Sequence, residues 1–129
     1  MPERPQLEEL IRRGSAARFS DEYNCKVRRL FPWPDRVNTK RPLTEYGCML
    51  VTLEAGKQVD CHNHNEEETF IVISGIAFLD VEGSTTTLKS NDVAYIPRNA
   101  NHSLRNDGPA EFVMLDIYWD LGGRTEELS

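Results

Sequence analysis

GKQVDCHNHNEEETFIVISG, residues 56–75, sets two imidazoles, His62 and His64, two positions apart and a carboxylate, Glu68, four positions after the second. Successive side chains of an extended strand point to opposite faces, so His62 and His64 share one side while Asn63 turns away. Glu68 reaches the same point from the start of the next strand if the chain reverses through residues 65–67. Two nitrogens and a carboxylate oxygen then form a mixed donor set suited to a divalent metal. Taken alone, each has a plainer reading: a strand histidine is a surface or hydrogen-bonded residue, and the acidic run 66–68 is a solvated turn. The pattern itself leaves open which of Glu66, Glu67 and Glu68 takes part.

Around this stretch lies a chain of 129 residues, enough for one domain with a sizeable core and no need of disulfides. Its hydrophobic content of 39% and charged content of 28% are those of an ordinary globular protein. A net charge of −6 argues against a nucleic-acid partner, which would require a basic surface. The pairs Arg12-Arg13 and Arg28-Arg29 are too short to make one. No apolar run approaches the length of a membrane span, and MPERPQLEEL lacks a secretory pattern, so a cytoplasmic location with no membrane partner is expected. Three cysteines without CxxC spacing do not make a disulfide framework. Alternation sends Cys61 to the face opposite His62, which predicts a core thiol, and Cys48 stays unassigned.

Residues 5–14, PQLEELIRRG, read as a short helix with Leu7, Leu10 and Ile11 on one stripe and Gly14 as its stop. Strands are predicted at 23–31, 46–54, 59–64, 69–73, 76–81, 85–89, 93–96, 102–106 and 112–119, with Gly, Pro and Asn punctuating them. Pro32-Trp33-Pro34 closes the first strand, with Trp33 read as a packing residue, and 35–44 is a polar loop. This divides the chain into an N-terminal helical or extended segment (1–22), an all-β barrel or sandwich (23–121) and a polar tail (122–129). The last strand, EFVMLDIYWD, is apolar on both sides and is predicted to be buried on both. Phe112, Met114, Asp116 and Tyr118 share the side better suited to a pocket wall. Asp116 reads equally as a hydrogen-bonded core residue.

The fixed positions of 56–75 resemble the first motif of the cupin superfamily, G-x5-H-x-H-x3-E-x6-G, with every position met. The second motif, G-x5-P-x-G-x2-H-x3-N, is matched by NDVAYIPRNANHSLRN at 91–106 through Pro97, His102 and Asn106. Its two glycines are replaced by Asn91 and Asn99, and asparagine is the side chain that best tolerates a left-handed backbone. The resemblance implies a double-stranded β-helix, a jelly-roll barrel, and one divalent metal held by His62, His64, Glu68 and His102. Its spacing selects Glu68 among the three acids. Iron, zinc, manganese, nickel and copper all suit these ligands. It also implies a homodimer, for which the sequence offers apolar candidates at 7–11 and 31–33.

Three histidines and one carboxylate leave coordination positions open, which is the condition for catalysis or ligand binding rather than a closed structural site. The leading expectation is a metal-dependent enzyme acting on a small oxygen-bearing organic molecule, of dioxygenase, isomerase, lyase, decarboxylase or cyclase type. Tyr46, Tyr95, Tyr118 and Asp116 are candidate proton-transfer residues, and Arg28 or Arg41 could bind a substrate carboxylate. The alternative is a non-catalytic cupin that binds or senses a small ligand. Locally, EEETFIVISG and IYWD are similar to the cupin portion of didomain enzymes that form nitrogen–nitrogen bonds in natural-product pathways, which would imply zinc and an amino-acid-derived substrate.

Overall fold

The computed structural model describes residues 6–36 and 45–120. Among them ten strands form: β1 (Ser20–Glu22), β2 (Cys25–Phe31), β3 (Glu45–Leu53), β4 (Gln58–His62), β5 (Glu67–Ser74), β6 (Ala77–Val81), β7 (Ser84–Leu88), β8 (Val93–Ile96), β9 (His102–Arg105) and β10 (Phe112–Asp120). A six-stranded sheet in the order β1-β2-β3-β10-β5-β8 packs on a four-stranded sheet in the order β4-β9-β6-β7. Every pairing is antiparallel. This is the expected jelly-roll barrel, and no described helix is long and apolar enough to cross a membrane.

The period-two pattern explains the packing. In β5, Glu68, Phe70 and Val72 point inward; in β10, Phe112, Met114 and Asp116 do the same. Phe70, Val72, Phe112 and Met114 meet Val59, Ala77, Leu79, Leu88 and Leu104 of the other sheet in one apolar cluster. Phe112, Leu53, Ile96 and Val72 are the largest apolar side chains wholly withdrawn from water. Because the smaller sheet covers only the inside of the larger one, the outer side of β10 is left half-exposed at Val113, Leu115, Ile117 and Trp119. The prediction of burial on both sides is corrected accordingly: a continuous apolar run does not reveal how many layers will cover it.

The turns carry the backbone strain. Asn91 and Asn99, standing where the second motif has glycine, have φ of 71° and 64°. Gly75 has φ of 83°, and a methyl group there would collide with the backbone of Glu111 and Phe112. Gly75→Ala is therefore expected to cost about 2 kcal/mol or more in urea unfolding. Gly83→Ala, with similar φ but open space around it, should cost about 1 kcal/mol.

Two predictions near the N-terminus change. The short helix is a single 3-10 turn, Leu7–Leu10, closed by a reciprocal cap between Gln6 and Glu9. So short a segment cannot meet the cost of helix nucleation alone, and Leu7, Leu10 and Ile11 are exposed. The extra strand β1 joins β2 through Tyr23 and Asn24, both at positive φ, a two-residue hairpin without the usual glycine. Trp33 does pack, donating to the Leu30 carbonyl and lying under the Arg12 guanidinium. Residues 37–44, with Arg41, and the tail 122–129 lie outside the described residues.

Candidate metal centre

β4 and β9 bring His62 and His102 face to face as cross-strand partners, after a bulge between Val59 and His62. β4 ends at His62, earlier than predicted, yet His64 stays on the same side: the His62 and His64 rings are 4.6 Å apart. Its carbonyl is held by the Asn99 amide at 2.8 Å, so the left-handed turn of the second motif anchors the loop carrying a histidine of the first. Asn63 turns away and donates to Asn101. One ring nitrogen from each of His62, His64 and His102 lies within 4.8 Å of the others, a cluster able to hold a metal ion.

Glu68, on β5, faces this cluster from the opposite sheet and is 5% exposed. Its Oε1 stands 3.3 Å from His102 Nε2 and 3.7 Å from His64 Nε2. The Nδ1 atoms of His62 and His102 lie 2.7 and 2.9 Å from the carbonyls of Asp60 and Ala100. A carbonyl can only accept, so in both rings Nδ1 carries a proton and Nε2 is the nitrogen left facing inward. His102 Nε2 faces the buried Glu68 Oε1, to which the protonated ring would donate. With the ring neutral, the two facing lone pairs repel unless a cation lies between them, and a proton or a metal ion meets that need. These residues fit a divalent metal on donor chemistry and orientation alike.

The electrostatics follow. Burial pulls His64 below the ordinary imidazole value. Burial acts the same way on His102, but the Glu68 carboxylate and the Ala100 carbonyl outweigh it and raise the group. Burial pushes Glu68 up, but His102, Asp116 and His64 together hold it below the usual carboxylate range. Asp116, 6% exposed, is pushed up to about 9 by burial and then by the neighbouring charge of Glu68. Two adjoining buried carboxyls do not both ionise.

A cavity of about 280 Å³ opens from this cluster between the sheets, with a floor of side chains that includes Val51, Val59, Phe70, Leu104 and Met114. Of the four candidate proton-transfer residues, Asp116 and Tyr118 line it; Gly47, opposite Tyr118 in β3, leaves the room its ring occupies. Tyr46 and Tyr95 do not line it. They have the opposite strand parity, are about half exposed, and contact Phe31 and Glu67 respectively. Arg28 also points outward, toward the Arg12 carbonyl. Its neighbour Arg29 lines the cavity, and counting alternate positions from Cys25 and Val27 would have found it. Cys48 is buried, whereas Cys61 is exposed: alternation did send it away from His62, but that side of a two-layer barrel faces water.

Tyr23 was not among the sequence candidates. Its ring stacks on His62 at 4.9 Å and meets His64 edge-on at 6.1 Å, in a hairpin tied to β4 by Asn24 donating to the Gln58 carbonyl. No motif signals it, because the contact joins residues nearly forty positions apart.

Arg29 grips Glu22 through both guanidinium nitrogens, and this pair with Ser20 holds Glu22 down to about 2. A lowered folded-state pKa adds stability that is present above the unfolded value and lost as pH falls through the folded one. Wild type should therefore exceed Glu22→Gln by about 1 kcal/mol at pH 6 after allowance for solvent screening. The two should converge between pH 4.5 and 2 in acid-dependent urea unfolding.

The cupin domain family model matches residues 49–118. The chain is 29% identical over 72 residues to a 5-nitrosalicylic acid 1,2-dioxygenase of Bradyrhizobium sp, covering 56% of this chain and 34% of that protein. A solved protein of Photorhabdus luminescens superposes with a TM-score of 0.74 at 26% identity, covering 92% and 94% of the two chains. A cupin 2 conserved barrel domain protein of Salinispora arenicola gives a TM-score of 0.68 at 26% identity, covering 94% and 90%. The chain spans about a third or less of the length of the curated relatives it matches.

Proposed function

The chain belongs to the cupin family, and on that premise we propose that it is a metal-dependent enzyme for a small, oxygen-bearing organic molecule. His62, His64, His102 and Glu68 would hold one divalent ion. The observation that carries this reading is the convergence of one ring nitrogen from each of the three histidines within 4.8 Å, with the buried Glu68 Oε1 3.3 Å from His102 Nε2.

When bound, such an ion supplies Lewis acidity and open positions for a substrate oxygen. The chain's own residues do the rest. The apolar floor excludes water, which strengthens every electrostatic contact inside the cavity. Tyr23 limits the freedom of the His62 ring from the mouth side. Asp116 and Tyr118 are the groups that would exchange a proton with substrate, Asp116 at its carboxyl oxygen beside Glu68 and Tyr118 at its phenol oxygen.

The test is elemental analysis of protein purified without a metal-affinity column, followed by incubation of the metal-loaded protein with a panel of oxygenated small molecules and mass spectrometry of the mixture. About one equivalent of metal and a new product are expected. Saturable binding without product would favour a ligand-binding cupin instead. A wild-type protein that neither carries metal nor takes it up would remove the basis of the reading.

A further inference from the structure

The inner side of the six-stranded sheet faces the core and the cavity, and its outer side is left uncovered by the smaller sheet. On that outer side the strand registers align one row of side chains across five strands. Arg28 of β2 stands beside Leu50 of β3, Leu50 beside Leu115 of β10, Leu115 beside Ile71 of β5, and Ile71 beside Val93 of β8. A shorter row of Tyr46, Trp119 and Glu67 runs alongside, with the Tyr95 ring 6.3 Å from that of Trp119. Glu67 is the only charged side chain that β3, β10, β5 and β8 turn outward, in a chain with 28% charged residues. Tyr46, Val93 and Tyr95 are more than half exposed.

An apolar patch this wide is large for a chain that stays alone. At about 4.8 Å between strands and about 3.4 Å per residue, its flat footprint is roughly 500 Å². Two such faces bury on the order of 1,000 Å² or more, which reaches the area a specific interface needs.

The two ends of the long row differ in charge. Arg28 donates to the Arg12 carbonyl, not to an acid, and shares a groove with Arg12, Arg13 and Arg18. At the other end Val93 follows Asp92, with Glu67 close by on β5. Asp92 accepts from the Lys89 amide and Glu67 from the Tyr95 hydroxyl, so neither partner is a cation. Half a turn about an axis along β10 lays Leu115 on its own copy, Leu50 on Ile71, and Arg28 on Val93 beside Asp92. Apolar side chains then meet in the middle and opposite charges meet at both edges. A row that complements itself under a two-fold rotation suits a second copy of the chain better than an unlike partner. Its charge-poor centre also limits repulsion between two chains of net charge −6.

We propose that the outer side of this sheet is a two-fold interface between two copies of the chain, packed sheet on sheet with β10 at the axis. Tyr46, Tyr95 and Trp119 are its aromatic anchors. The interface stands independently of the metal centre, which lies on the inner side of the same sheet.

Sedimentation velocity of the full chain over about 1–100 μM tests it, with thermal unfolding recorded for every variant. Wild type is expected to be a dimer at the upper concentrations. Leu115→Lys should raise the dissociation constant at least about 100-fold, because two ammonium groups would meet at the axis. Phe78→Lys, on the outer side of the smaller sheet, should leave it within about three-fold. Val93→Arg sets a guanidinium against the partner's Arg28 and should weaken the dimer about ten-fold more than Val93→Glu. A wild type that stays monomeric at the highest concentration overturns the proposal. So does a dimer that survives Leu115→Lys, a loss of equal size in Phe78→Lys, or Val93→Glu as damaging as Val93→Arg. If Leu115→Lys does not fold, the two Val93 variants decide, since that side chain is 64% exposed.

Discussion

Replacing His102 with alanine is expected to lower metal affinity by at least about 100-fold, since losing even an outer-sphere partner of a ligand can cost that much. His102 is one of three converging imidazoles, and its Nε2 is oriented by the Ala100 carbonyl before any ion arrives. Competition against a chromophoric chelator measures the loss directly. Thermal unfolding gives an independent reading, because an ion that binds only the folded state stabilises it by about 2.7 kcal/mol at a hundred times its dissociation constant. Wild type should show that gain on adding metal, and His102→Ala should show little or none at the same concentration. An affinity unchanged by the substitution would show that the cluster is not the metal site.

Asn106→Ala should be the most damaging single change to stability away from the site, at about 3–5 kcal/mol. Asn106 has no exposed surface. Its amide nitrogen donates to the carbonyls of Leu53 and Ala110, both at 2.9 Å, and its Oδ1 accepts from the Gly108 amide at 3.0 Å. Its backbone bonds to Gly56 and Lys57, so one residue joins the end of β3, the start of β4 and the 106–110 turn. Alanine would leave a cavity and the buried carbonyl of Leu53 without a donor. Asn106→Asp keeps the shape and the acceptor but removes both donors and buries a charge, so it should be no better tolerated. Urea midpoints, read with the slope to check that cooperativity is retained, give the difference. A loss below about 1 kcal/mol would show that water replaces the side chain's bonds.

Much of the site was legible because its elements are local. His62 and His64 lie two residues apart, so chain geometry alone constrains them, and Glu68 follows within one reversal of the chain. The substitution of Asn91 and Asn99 for glycine was equally readable, because tolerance of positive φ is a property of the side chain itself. Arg29 was within reach of the same arithmetic, two positions beyond Val27. Tyr46 and Tyr95 could be told from Tyr118 only with strand register in hand. Register decides which parity faces the cavity, and it is set by partners far along the chain.

The sequence by itself determined an all-β barrel or sandwich and His62, His64 and an acid on one side, since alternation, turn chemistry and spacing are local quantities; the jelly roll and the place of His102 in the set followed from the resemblance of the two motifs to the cupin family. Only the tertiary structure decided that Tyr23 stacks on His62, that Asp116 lies sealed beside Glu68, and that Cys61 faces water. It also decided that one side of β10 stays half-exposed. Each of these depends on what lies across a gap of tens of residues or on how many layers cover a strand, and both are properties of the assembled sheets.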